Sequence, residues 1–221
     1  MSLAPLIRDH YLPHADAANA EPMTRYMKNK FPFLGIPTPL RRELAKSFWI
    51  QHPFPAPEAV PDLVADLYGF PEREFHYTAV EIAQKSIKKQ PASFLETAEA
   101  LIVTHSWWDT VDGLSDKVVG ILAKKHPALI EKLDEWAIHP NLWLRRAAIL
   151  HQLTYKHATD QERLFHYCRL NAHHTDFFIR KGMGWALRQY ARVAPQAVKQ
   201  FVDSTELPNL TRKEALKHVA D

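Results

Sequence analysis

The chain has 221 residues, 28 Lys and Arg against 25 Asp and Glu, and a net charge of +3, which is enough length for a sizeable core and too little charge to require a polyanionic partner. Its single cysteine, Cys168, excludes a disulfide framework and leaves no Cys/His set at zinc spacing. No apolar run approaches the roughly 20 residues that cross a bilayer, and the opening MSLAPLIRDHYLPH lacks the apolar stretch of a secretory leader, so the expectation is one soluble, cytoplasmic domain over residues 1–221.

Glycine is scarce, at six residues. Ala, Leu, Lys, Glu and Arg are abundant, and no long stretch alternates apolar with polar residues, so the predicted fold is all-α. Proline-rich breaks at HPFPAPEAVP (52–61), KQPAS (89–93), KHPAL (125–129) and HPN (139–141) mark turns between helices. Between and beyond them, five segments resemble one another: EREFHYTAVEIAQ from Glu72, SWWDTVDGLSDKVVGIL from Ser106, NLWLRRAAILHQL from Asn141, DFFIRKGMGWALRQYA from Asp176 and NLTRKEALKHV from Asn209. Setting Tyr77, Asp112, Arg146, Lys181 and Lys213 as equivalent gives separations of 35, 34, 35 and 32 residues. A period in that range predicts an α-solenoid of HEAT-like pairs, each burying its apolar face by stacking on the next, with corresponding helices lining one concave face.

Ser106 and Asp109 stand at capping-box spacing, which predicts a helix starting at Ser106 and makes Asp109 structural. Down that helix Trp107, Val111, Leu114, Val118 and Leu122 form the core stripe. Trp108 and Asp112, four residues apart, share the adjacent face. In the next segment Asn141 is the predicted cap, and Arg146 flanks apolar surface either as a plain salt bridge or as part of a site. In the following one, Ile179, Met183, Ala186 and Tyr190 make the core stripe, while Lys181, Trp185, Arg188 and Arg192 place three cations around one tryptophan. A tryptophan wedged between repeats with solvated charges around it is the alternative.

The positive charge is concentrated late in the chain. From Asn141 onward, 13 Lys and Arg face 7 Asp and Glu, whereas the preceding 140 residues hold 15 against 18. Cations on a shared surface attract phosphates, tryptophan faces attract a cationic group, and a carboxylate opposes positive charge developing on a sugar. Taken together, these groups point to N-glycosidic cleavage of a cationic base from DNA. The 13 histidines are scattered, and His173–His174 lacks partners at ligand spacing, so neither a metal nor another cofactor is expected.

The residues resemble the AlkD-type DNA alkylation-repair glycosylases, which are built from HEAT-like repeats. The likeness covers nearly the whole chain. It is carried by EPMTRYMKNKFPFLGIPTPLRREL (21–44), LIVTHSWWDTVD (101–112), NLWLRRAAILHQLTYK (141–156), FFIRKGMGWALRQYA (177–191) and, less closely, ELPNLTRKEALKH (206–218). The resemblance implies excision of N3- and N7-alkylated purines, such as 3-methyladenine and 7-methylguanine, from duplex DNA; separately, no lysine stands out as a Schiff-base nucleophile, which favours a monofunctional enzyme, and one lesion per site suggests a monomer. By position the resemblance makes Asp112 the catalytic acid, Trp108 and Trp185 the active-site tryptophans, and Arg146 a contact to the DNA backbone. Tyr26, Thr38, Pro39 and Arg42 fall where the family touches DNA near its N-terminus, and Lys181 and Arg188 are further candidate DNA contacts. Thr38 as N-cap and Pro39 as first helical residue would present backbone N–H groups to a phosphate. Pro37 stands where the family pattern suggests a polar side chain. Two rival readings are a non-catalytic binder of DNA structures and a protein-interaction scaffold whose exposed tryptophans are hot spots.

Overall fold

The computed structural model describes residues 2–219, and among them it is helical with no strand. The helices are α1 (Ala4–Tyr11), α2 (Ala17–Tyr26), α3 (Thr38–Gln51), α4 (Val60–Tyr68), α5 (Arg73–Ser86), α6 (Phe94–Val103), α7 (Trp108–Leu114), α8 (Ile121–Lys125), α9 (Ile130–Trp136), α10 (Leu142–Leu150), α11 (Gln161–Leu170), α12 (Phe177–Ala191), α13 (Pro195–Ser204) and α14 (Asn209–Ala215). The proline-rich segments fall between them, as their restricted backbone requires. The chain divides into two compact units, one up to Thr97 and one from Ala98.

In the first unit α4 packs on α5, burying Val60, Leu63, Val64 and Leu67 with Phe75, Ala79 and Ile82. Each of these side chains other than Ala79 contributes roughly 1.5–3 kcal/mol. The loop before α3 is held by a buried carboxylate. Glu74 accepts hydrogen bonds from the backbone N–H groups of Leu34 (3.0 Å), Gly35 (2.9 Å) and Ile36 (3.1 Å). Gly35 has φ +86°, and a Cβ there would lie 1.9 Å from the Asp16 carbonyl oxygen, so no other residue fits. Tyr11 of α1 meets Thr78 of α5 through its hydroxyl at 3.1 Å.

In the second unit the helices that open the similar segments lie side by side: α7 against α10, α10 against α12, α12 against α14. This is the stacking of an α-solenoid, in which each pair completes its neighbour's core. Val111, Leu114, Val118 and Leu122 of the predicted stripe are all fully buried. Trp107 is half-buried, its ring 5.7 Å from that of Trp143 and 4.8 Å from that of Phe178, so one aromatic cluster joins three successive segments.

A repeated device fixes the entry to these helices. His139 accepts the N–H of Asn141 at Nδ1 (2.9 Å), Asn141 caps the N–H of Trp143 (2.9 Å), and Arg145 returns to the His139 carbonyl from Nε (3.1 Å). One repeat later His174 accepts from the Asp176 N–H, Asp176 caps Phe178 and Ile179, and Arg180 Nε donates to the His174 carbonyl (2.7 Å). The side chain six residues on thus anchors the carbonyl at which the turn begins.

Two predicted helix starts are corrected. α7 begins at Trp108 with Trp107 as an extended, uncapped N-cap. Ser106 instead donates its hydroxyl back to the Ile102 carbonyl at 2.6 Å, and Asp109 lies in the first turn, where its charge suits the helix dipole. α3 begins one residue early, with Pro37 at the N-cap, Thr38 first in the helix and no side-chain cap. The helix begun by α7 also runs on through a π-helical stretch, Ser115–Gly120, into α8.

Candidate active site

Trp108 and Asp112 occupy successive turns of α7 and are both half-buried. Asp112 is gripped by Arg146 of α10, the residue one repeat away: Nε donates to Oδ1 at 2.7 Å and Nη2 to Oδ2 at 2.9 Å. Arg146 is itself 3% exposed, and its Nη1 donates to the Phe178 carbonyl in the first turn of α12. Gly182 makes room for this. A Cβ at that position would sit 3.0 Å from Nη1. One guanidinium therefore ties three successive helices and orients one carboxylate, while two of its five N–H groups are left over.

Burial pushes the Asp112 carboxyl above its ordinary value, the two Arg146 interactions oppose that, and the neighbouring Asp109 charge adds to the rise. The bidentate geometry holds the ionised form in place. The result is an oriented carboxylate beside an indole, poorly solvated and still open at its edge, with 17% of its side-chain surface exposed.

Trp185 on α12 is half-buried, one turn beyond Lys181. The cations around it are not simply solvated. Lys181 Nζ lies 3.0 Å from Oε1 of Glu214, and Arg188 Nη1 lies 2.6 Å from its Oε2, so α14 supplies one carboxylate between two predicted DNA contacts. Burial acts to raise the Glu214 carboxyl, but Lys181, Arg188 and Lys217 bring it below the usual range. Arg192 is exposed.

The N-terminal candidates sit in the first unit. Tyr26 ends α2 and is 68% exposed, and Thr38 and Pro39 are exposed at the start of α3. Arg42 is exposed as well, donating Nε to Glu81 at 3.0 Å. The same carboxylate is forked by the buried Arg41 at 2.8 Å on each oxygen. Among the described residues no group of three or more His, Cys, Asp or Glu could hold a metal ion.

Sequence reasoning missed Glu214 and the Asp112–Arg146 pairing as a fixed geometry. The signal was present in the repeat register, because Asp112 and Arg146 were already set as equivalent positions, and Lys181 and Glu214 are opposite charges one repeat apart.

With this geometry in hand, the comparisons become informative. A solved structure described as a predicted DNA alkylation repair enzyme from Enterococcus faecalis superimposes with a TM-score of 0.87 at 29% identity, covering 94% of this chain and 97% of that one. The smu.31 protein of Streptococcus mutans UA159 shares the fold at a TM-score of 0.62 and 18% identity, over 81% of this chain and 98% of that one. No curated protein matches the sequence. The family model for DNA alkylation repair enzymes matches residues 7–219, and the chain belongs to that family, whose role is in DNA repair.

Proposed function

We propose that the protein is a monofunctional DNA glycosylase that removes N3- and N7-alkylated purines from duplex DNA. The observation that carries this reading is Asp112, a half-buried carboxylate held in one orientation by a bidentate arginine beside Trp108.

Alkylation at N3 or N7 places a positive charge on the purine. When the bond from C1′ to the base nitrogen breaks, its electron pair goes to the base, which leaves neutral and needs no general acid. Positive charge then develops on the deoxyribose. Asp112, already oriented and poorly solvated, opposes that charge, and an electrostatic group fixed before the reaction is worth more than one that must reorient. Water adds at C1′ and loses its proton, with Asp112 positioned to accept it. The indoles of Trp108 and Trp185 hold the sugar and the cationic lesion through their faces, at ~0.5–2 kcal/mol each. Arg146 positions Asp112, and its predicted phosphate contact uses the N–H groups left by Asp112 and Phe178. Lys181, Arg188, Tyr26, Thr38, Pro39 and Arg42 serve as contacts to the DNA backbone.

The test is charge dependence on one DNA sequence. Release of 7-methylguanine and of uracil from otherwise identical duplexes should differ by orders of magnitude, because uracil leaves as an anion and finds no acid to protonate it. Equal release of the two would remove the selectivity for cationic bases, and tight binding with release of neither would remove the glycosylase reading.

A further inference from the structure

The first unit carries a second basic, aromatic recess that the lesion chemistry does not use. Between α3 and α5 lies a cavity of about 380 Å³, lined by Arg42, Lys46, Trp49, Ile50, Phe54 and Lys85 among others, within the roughly 300–1,000 Å³ of small-ligand clefts. Its walls are of two kinds. Trp49 and Phe54 meet edge to face with ring centroids 5.0 Å apart, both half-buried and each leaving part of its ring open. Ile50 beside them is 77% exposed.

Around this apolar floor stand Arg42, Lys46 and Lys85, all exposed. The Lys85 ammonium lies over the Phe54 ring, 4.5 Å from its centroid, so one face of that ring already carries a cation. One acid, Glu81, also lines the recess, but both its oxygens already accept from Arg41 and one from Arg42. The local field is therefore positive, and an anion entering the recess meets no uncompensated carboxylate.

We infer that this recess binds one unpaired nucleotide of a DNA strand, its base against Trp49, Ile50 and Phe54 and its phosphate against Lys46, Lys85 and Arg42. Aromatic rings beside cations are how sequence-independent sites hold single strands, because every base has a π face and every linkage a phosphate. A base stacked inside a duplex has no free face to offer, and a pocket of this size cannot admit a duplex. The recess thus gives the protein a hold on strand that is open, frayed or displaced, separate from the carboxylate of α7. The inference shares with the proposed function the premise that DNA is the partner and one contact residue, Arg42.

The experiment measures binding of a fluorescently labelled octathymidylate by anisotropy at low salt. The proteins compared are wild type, the surface double variant Lys46→Ala/Lys85→Ala, Trp49→Phe and Asp112→Asn; a labelled octaglutamate is the second probe. Wild type and Asp112→Asn should bind the oligonucleotide equally. The lysine variant should lose at least tenfold in affinity, Trp49→Phe should lose severalfold, and octaglutamate should bind at least tenfold more weakly than the oligonucleotide. Retained affinity in the lysine variant would overturn the inference, and so would equal binding of octaglutamate, which would make the recess a general acceptor for acidic peptides. The two readings fail separately: wild type that binds octathymidylate but releases no 7-methylguanine would overturn the glycosylase reading alone, and wild type that releases the base while the lysine variant keeps its octathymidylate affinity would overturn this one alone.

Discussion

Arg146 holds Asp112 by two parallel bonds, Nε to Oδ1 at 2.7 Å and Nη2 to Oδ2 at 2.9 Å, across one repeat of the chain. Removing the guanidinium strands a carboxylate in a poorly solvated place, at ~3–5 kcal/mol. Arg146→Ala should lower stability by that order in urea unfolding. It should also move the pH profile of base release. The active form is ionised, so rate is lost as pH falls through the carboxyl's pKa, which burial has already raised. Without Arg146 the opposing interaction is gone, and the midpoint of the acid limb should shift upward. An unchanged midpoint would mean that another group sets it.

Gly182 offers a gentler probe of the same geometry. A methyl group there meets Nη1 of Arg146 at 3.0 Å, so Gly182→Ala must tilt the guanidinium by a few tenths of an ångström and take the Asp112 carboxylate with it. Misplacement on that scale acts on the chemical step more than on binding. The expected result is roughly tenfold slower single-turnover release with the duplex dissociation constant unchanged, measured by anisotropy. A parallel loss of release rate and of duplex affinity would make Gly182 a packing residue only.

Glu214 holds Lys181 and Arg188 in ion pairs, and if these cations contact DNA as proposed, it competes with DNA for them. Glu214→Gln should raise affinity for duplex DNA severalfold at fixed salt. It should also steepen the dependence of log affinity on log salt by up to ~0.9 for each phosphate newly neutralised. The check is a salt titration of both proteins. A shallower slope in the variant would show that Glu214 positions these cations for DNA instead of withholding them.

His151 governs acid stability away from the site. Complete burial pushes its imidazole down to about 4; Nδ1 is engaged with the Ala148 carbonyl at 2.6 Å, and Nε2 has no hydrogen-bond partner among the described residues. The unfolded chain takes up a proton near pH 6.5 and the folded chain does not, so this contribution is intact above 6.5 and is lost as pH falls towards 4. Between pH 6.5 and 5 the loss is about 2 kcal/mol. Urea unfolding at the two values should show it in wild type, and a His151→Asn variant should have a correspondingly flatter response.

Much of this was legible in the sequence. Apolar spacing identified the buried stripe Val111, Leu114, Val118 and Leu122 because burial follows helical period directly, and Asn141 caps the helix it opens because a cap is a local bond. What escaped depended on neighbours far along the chain. Ser106 satisfies the end of α6 instead of the start of α7, a choice that a three-residue pattern does not encode. Thr38 lies inside its helix because Pro37 already has the extended backbone of an N-cap. The π-helical stretch after Asp112 has no composition signal of its own. Around the site, residue types indicated a carboxylate, indoles and cations, but not that each charge is matched by one a repeat away: Asp112 by Arg146, and Lys181 with Arg188 by Glu214.

The central claim is that Asp112 acts on the bond being broken. Its most direct test is single-turnover release of 7-methylguanine from an alkylated duplex, comparing wild type with Asp112→Asn at equal DNA occupancy. The account predicts equal binding and release slower by ~10²–10³ in the variant, the size of effect expected from losing one preorganised electrostatic group. Release at the wild-type rate by Asp112→Asn, or DNA binding without release by either protein, would contradict it.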